Sequence, residues 1–388
     1  MLLSKRSRWS AVVAAAVLAG CVAAQNLHTD DAPIERAPPV RGPSSRSFLM
    51  GFTLWPSDLS VEGLRTAQTF AYAHGDIVAL MLIGGIPWTE ALESKPFSKD
   101  LQENLSYRPP AGKKLFVAIS PLDKNRRGLA PYWGEKDNLA LPQPFVKEPL
   151  NSARVKKAFL NFVLQVIETM RPDYLAIAVE PNVLLSREPG KWAAFKQLHR
   201  DTYSAVKQLH PDLPVFFTTD ILHYKRLTRD AAGPQEREVA ELMRYSDLFA
   251  MSIYPHMSRA GLHPVPADFL DFARRFDKPV AVAESGMTSR DITLRTYGVT
   301  LAGSEAEQAR FTRLLLTTAA RDHYEFVINF ATTDSEKLVA RLRPPVDDLA
   351  RIWAFTGMQT SDKKPKSALG VWNAYFRVSY KPDKSLPD

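Results

Sequence analysis

Eight short apolar runs recur between residues 48 and 331, each closed by a proline, a glycine or a polar residue. They are Phe48–Trp55, Asp76–Ile83, Lys114–Ser120, Tyr174–Glu180, Val215–Thr219, Leu248–Tyr254, Pro279–Glu284 and Phe326–Ala331. Continuous apolar runs of this length read as strands buried on both faces, the mark of a parallel sheet. Stretches with helical periodicity separate most of them. Between 152 and 170, Phe159, Phe162, Val163, Val166, Ile167 and Met170 fall on one stripe, and after 190 Trp192, Phe195, Leu198 and Val206 do the same. Such alternation predicts an α/β chain, and eight strands predict a single-domain (β/α)8 TIM barrel over residues 47–388. A doubly wound open sheet alternates in the same way, but more often carries a Gly-rich phosphate loop after strand one. Here that position reads Trp55-Pro56-Ser57.

The first 46 residues belong to no such pattern. Lys5, Arg6 and Arg8 precede an apolar run from Ala11 to Ala19, a secretory signal too short to span a bilayer comfortably. The run ends Leu18-Ala19-Gly20-Cys21, which resembles a bacterial lipoprotein signal. The resemblance implies a signal peptide over 1–21 and lipidation of Cys21, the sole cysteine of the chain. Val22 in place of Asp implies the outer membrane, facing the periplasm or the cell surface. Residues 22–46 carry Pro33, Pro38, Pro39 and Pro43 among small and charged residues and read as a tether. The net charge is +8 without a basic run or a basic stripe interleaved with aromatics, so nucleic acid is not an expected partner.

Two of the eight runs end in a glutamate. Tyr174-Leu-Ala-Ile-Ala-Val runs into Glu180-Pro181-Asn182, and Pro279-Val-Ala-Val-Ala runs into Glu284-Ser285-Gly286. In a barrel the C-terminal ends of the strands converge on one mouth, and strands four and seven lie roughly across it. Paired carboxylates there suit glycoside hydrolysis, where one protonates the leaving oxygen and the other attacks the anomeric carbon.

These motifs resemble glycoside hydrolase clan A, and the strand-six run Met251-Ser-Ile-Tyr254-Pro255-His256 is similar to that of its endo-β-1,4-galactanases, family 53. The C-terminal Lys364-Pro365-Lys366-Ser367-Ala368 is similar to the closing segment of such barrels. The resemblance covers residues 48–376 in short motifs only. It implies that Glu180 is the acid/base, Glu284 the nucleophile and Tyr254 the hydrogen-bond partner of Glu284. The likeness departs at Val179, where the clan places an asparagine for the sugar 2-hydroxyl, and at Asn329-Phe330-Ala331-Thr332, where strand eight often ends in tryptophan. Asn182 or Ser285 would have to replace the missing asparagine.

Trp55, at the end of strand one, and Trp88, after strand two, suit stacking on a sugar face. Asp220, His256 and Asn329 follow strands five, six and eight and are expected to bind substrate; Asp334 is expected in a solvated loop. Asp220, His223 and His256 would be the residues for a metal, but no His-x-His closes strand one, and neither metal nor cofactor is expected. The segment from Pro121 to Pro149 reads as a long structureless loop that walls the cleft. Two functions fit this pattern. One is a retaining glycosidase cleaving a β-linked polysaccharide or oligosaccharide. The other is a surface-anchored barrel that binds glycan without cleaving it.

Overall fold

The computed structural model describes residues 43–382 apart from Leu59, Ala260, Pro344 and Pro345. The signal, Cys21 and nearly all of the tether lie outside the described residues. Eight parallel strands close into a barrel: β1 Leu49–Thr53, β2 Ile77–Leu82, β3 Lys114–Ile119, β4 Tyr174–Ala178, β5 Val215–Asp220, β6 Phe249–Ile253, β7 Val280–Ser285 and β8 Phe326–Asn329. Sequential strands pair, and β8 closes the ring against β1 with Phe326 opposite Leu49. Each strand falls on one of the eight expected runs; most ends are shorter by one or two residues, whereas β5 and β7 run one residue further, to Asp220 and Ser285.

Alternate residues of the strands fill two separate cores. Inside the barrel, Phe116, Phe216 and Phe326 meet with ring centroids 5.4–6.3 Å apart, and Ala79, Ala118, Ala176, Ala250, Ala281 and Ala283 leave them room. Gly51 lies where β1 runs against β2; a Cβ there would collide with the Ile77 carbonyl oxygen. The outward side chains, among them Phe52, Val117, Ile177, Phe217 and Val282, pack under the helices.

Four connections carry long helices: Val61–His74, Ala153–Met170, Trp192–Leu209 and Glu305–Arg321. Three of them start at a serine whose hydroxyl accepts a backbone N–H of the first turn: Ser60, Ser152 and Ser304. The outer layer is thinner elsewhere, and β6 reaches β7 through short 3₁₀ turns. Among the described residues no helix is long and apolar enough to cross a membrane.

The chain ends lock the base of the barrel. Ser45–Arg46 pairs in parallel with Ser379–Tyr380. Arg46 is buried, bonds the Phe48 carbonyl and Asp76, and lies against the rings of Phe376 and Tyr380. Ser45 and Arg46, the last two residues of the expected tether, are thus packed against the barrel, because Arg46 closes an ion pair with Asp76. The final helix, Ser367–Phe376, wedges Trp372 against Phe52, with its indole donating to the His74 carbonyl. Lys366, which opens this helix, is buried against Asp334 at 2.6 Å and also bonds Ser289. Asp334 is thus not in a solvated loop; it is the counter-ion of the closing segment.

The segment from Pro121 to Pro149 is ordered without long strands. Single bridges join Leu122 to Leu129, Tyr132 to Leu139 and Ile86 to Tyr132, and Phe145 is buried against Trp88. It folds over the mouth beside β4 and carries Arg126 into it.

Candidate active site

The chain leaves β4 abruptly. The register against β5 shifts between Ala176 and Ala178, and Glu180 has a left-handed backbone, φ 50°. That conformation is costly for a residue with a side chain. It is held by Thr218, whose hydroxyl accepts the Glu180 N–H at 3.0 Å, and by the turn into the short helix after Pro181. The effect is to turn Val179 into the barrel interior and leave the Glu180 side chain at the mouth, 4% exposed. Glu284 is the penultimate residue of β7 and is 8% exposed. Tyr254, one residue beyond β6, donates its phenol to Glu284 at 2.8 Å. The two glutamates and Tyr254 are thus brought to one place.

Two further charges meet them. Arg126 donates from Nη2 to Glu180 at 2.9 Å, and both side chains are buried. Its Nε donates to the Val179 carbonyl and its Nη1 to that of Lys124. Asp220 ends β5, caps the next turn by accepting the His223 N–H, and pairs with the His223 ring at 3.2 Å. Asp230, itself bound by Arg187, holds the other side of that ring at 3.1 Å.

The electrostatics follow from burial and these partners. Burial raises the Glu180 carboxyl; Arg126 pulls it back and Asp220 pushes it up, leaving it above the ordinary range. Burial and the neighbouring Glu180 raise Glu284 to about 8, against the opposing pull of Tyr254 and Arg126. Burial lowers His223, but Asp220 and Asp230 outweigh it and bring the imidazole to about 9, so it is a cation at neutral pH. Burial would raise Asp220, yet its contacts to His223 leave it lowered. Because the charge on Glu180 bears on Glu284, the two carboxyls titrate as a pair.

Glu284 gives a stability prediction. Its folded value, about 8, lies above its ordinary 4.5, so its contribution is present below pH 4.5 and is lost as pH rises through 8. Glu284→Gln mimics the protonated form at every pH. It should match the wild type near pH 5 and exceed it by a few kcal/mol, in order of magnitude, at pH 8.5. Thermal melts at the two pH values check this; an equal Tm difference at both would refute it.

Other expected substrate contacts are placed differently. Asn182 is completely buried: its amide donates to the Asp220 carbonyl and to Gln235, and its oxygen accepts the Asp220 N–H. It clamps β5 to the turn after β4, and its groups are spent on the protein. Ser285, also fully buried, donates to the Ile328 carbonyl. Neither replaces an asparagine at Val179, which is itself packed among apolar side chains. Trp88 is fully buried, donates to the Ala130 carbonyl and packs on Phe145, so it is a core residue and not a sugar platform. His256 is buried and bonds the Ile352 carbonyl; burial lowers it to about 4, a neutral ring that ties the rim together. Asn329 donates to the carbonyls of Ala331 and Thr356 and shapes the loop after β8. Trp55 is half-buried beside Phe330, in an aromatic group with Tyr254 and Trp353, and keeps an exposed part at the mouth.

Arg126 was not singled out from the sequence. Asn125-Arg126-Arg127-Gly128 after strand three was a visible turn with two cations, but nothing local ties it to a carboxylate 54 residues on.

No protein-family model and no curated protein matches the sequence. In structure the chain is similar to solved glycoside hydrolases. An exo-β-1,4-mannosidase from Opitutaceae bacterium strain TAV5 aligns with TM-score 0.56 at 13% identity, over 89% of this chain and 62% of its own. A GH5_18 protein from Bifidobacterium longum subsp. infantis aligns with TM-score 0.57 at 14% identity, over 87% and 80%. A fungal β-1,4-galactanase aligns with TM-score 0.54 at 14% identity, over 84% and 99%. At these identities the likeness shows the fold, an eight-stranded parallel barrel.

Proposed function

We propose that this chain is a retaining glycoside hydrolase acting on a β-linked polysaccharide or oligosaccharide. The observation that carries the reading is the pair of buried glutamates at the ends of β4 and β7, with Tyr254 donating to the second. Each carboxyl raises the cost of ionising the other, so near neutral pH the pair holds one proton. Hydrolysis with retention needs one proton and one carboxylate. Glu180 donates its proton to the departing glycosidic oxygen while Glu284 attacks the anomeric carbon and forms a glycosyl ester. Glu180, now ionised, takes a proton from water; the water oxygen attacks the same carbon and Glu284 leaves as carboxylate. Tyr254 orients Glu284, and the half-exposed ring of Trp55 offers an apolar face for a sugar. The mannosidase and galactanase likenesses support a β-linked substrate.

The test is a screen of the full chain against plant and bacterial β-glycans and aryl β-glycosides, with the first-formed anomer read by proton NMR. Retention supports the reading, and inversion rejects the covalent step. A second reading, a barrel that binds glycan without cleaving it, is favoured by Val179. Its apolar setting supplies no hydrogen bond to a 2-hydroxyl, an interaction that contributes several kcal/mol in the transition state. Binding of a glycan with no product from any substrate would select it.

We further propose that Cys21 is lipidated and tethers the barrel to the outer membrane. The support is Leu18-Ala19-Gly20-Cys21 behind a basic, apolar leader. Cys21→Ser should move the protein from the membrane fraction to the soluble fraction on immunoblots; unchanged fractionation would sink the anchor.

A further inference from the structure

We infer that Arg126 is the positioning residue that keeps the pair's single proton on Glu284 in the free protein. If the glycosidase reading above holds, the state that begins glycosyl transfer is then the minor tautomer, with that proton on Glu180.

The two carboxyls have unequal partners. Glu180 faces a guanidinium at 2.9 Å, and this cation cannot easily withdraw. Its Nε is bound to the Val179 carbonyl at 2.9 Å and its Nη1 to Lys124 at 2.7 Å. The Arg126 backbone is closed into a turn, its N–H donating to the Asp123 carbonyl. Among the described residues the donor on Glu284 is a neutral phenol, that of Tyr254. A charged donor is roughly twice as strong as a neutral one, and an adjacent cation favours the ionised carboxylate by about 1–3 pH units.

The remaining groups do not reverse this order. Asp220 bears on both glutamates, and its charge is compensated by the His223 imidazolium, which Asp230 and Arg187 back from behind. The Ser252 hydroxyl stands beside Glu180 and favours its anion as well. The elevation of Glu284 to about 8, with Glu180 among its causes, agrees with Glu180 ionising first.

Two consequences follow for turnover. A bell-shaped pH profile would have its acid limb set by Glu180 and its alkaline limb by Glu284, the reverse of what their roles suggest. The competent tautomer arises by moving one proton between the two carboxyls, with no change in net charge, so its population does not vary with pH between the limbs.

The test needs no substrate. Glutamate side-chain carboxyls in the full chain are labelled with 13C and titrated by NMR, with Glu180→Gln and Glu284→Gln assigning the two signals. Glu284 should be the last to ionise, near pH 8. In Arg126→Gln the Glu180 midpoint should rise by about 1–3 units, whereas Arg126→Lys should keep the wild-type order. Glu180 ionising last in the wild type would overturn the inference, as would an unchanged Glu180 midpoint in a folded Arg126→Gln protein. Should Arg126→Gln fail to fold, the orders in the wild type and in Arg126→Lys decide. The titration stands whether or not any glycan is cleaved, so failure of the hydrolase reading is seen separately in the absence of product.

Discussion

Replacing Glu284 by alanine is expected to abolish turnover of every glycan the chain hydrolyses, and of activated aryl β-glycosides as well. No glycosyl ester forms without that carboxylate, and a good leaving group cannot compensate for a missing nucleophile. Glu180→Ala should behave differently. Natural substrates with poor leaving groups should lose about 10²–10⁴-fold in rate, the ordinary contribution of general acid catalysis. Aryl glycosides that depart without a proton should still form the ester, which then accumulates because no base activates water. Azide should enter the vacated space, rescue the second step and yield a glycosyl azide. The measurement is kcat and kcat/KM for both variants on a leaving-group series, with and without azide. A Glu284→Ala protein that stays active while Glu180→Ala is dead on activated substrates would reverse the assignment. Indifference to both changes would make the pair structural.

The second large effect concerns stability. Lys366→Met should destabilise the barrel by about 3–5 kcal/mol, because it leaves the Asp334 carboxylate buried without its counter-ion. Both side chains are nearly inaccessible, and the pair fastens the last helix over the loop after β8. At roughly 2–4 °C per kcal/mol, the melting temperature should fall on the order of 10 °C. The deficit should be smaller at pH 5 than at pH 8, since a lone buried carboxyl keeps its proton at lower pH. Burial already raises Asp334 to about 6 even with Lys366 beside it. A double change, Asp334→Leu with Lys366→Met, should recover most of the loss, as apolar replacement of a buried ion pair often does. Thermal and urea unfolding of the three proteins check this. A Lys366→Met protein as stable as the wild type would show that the pair contributes nothing.

The barrel was legible because its signal is local. Each strand is a short run whose burial on both faces shows in its own residues, and the runs alternate with helices in the order of the chain. Glu180, Glu284 and Tyr254 were legible for a related reason. Once the strands are placed, the parallel topology carries their ends to one mouth, whatever the loops do. Trp88, Asn182 and Asp334 were misplaced because each lies in a connection, where sequence position does not say which way a side chain turns. Trp88 turned under the long loop, Asn182 found Asp220 and Gln235, and Asp334 found Lys366. A loop polar group ends buried when a partner from a distant part of the chain satisfies it, and that partner has no signature near it.

By itself the sequence determined the order of eight strands and, through it, the meeting of two glutamates and a tyrosine at one end of a barrel. Only the tertiary structure decided how those carboxylates are charged. Their burial, the guanidinium on Glu180 from 54 residues away, and the Asp220–His223–Asp230 chain behind them all depend on loop packing. The physical reason is one of range. Hydrophobic periodicity is written residue by residue along the chain. The proton affinity of a buried group depends on every charge within several ångströms, and those charges are brought there by the fold.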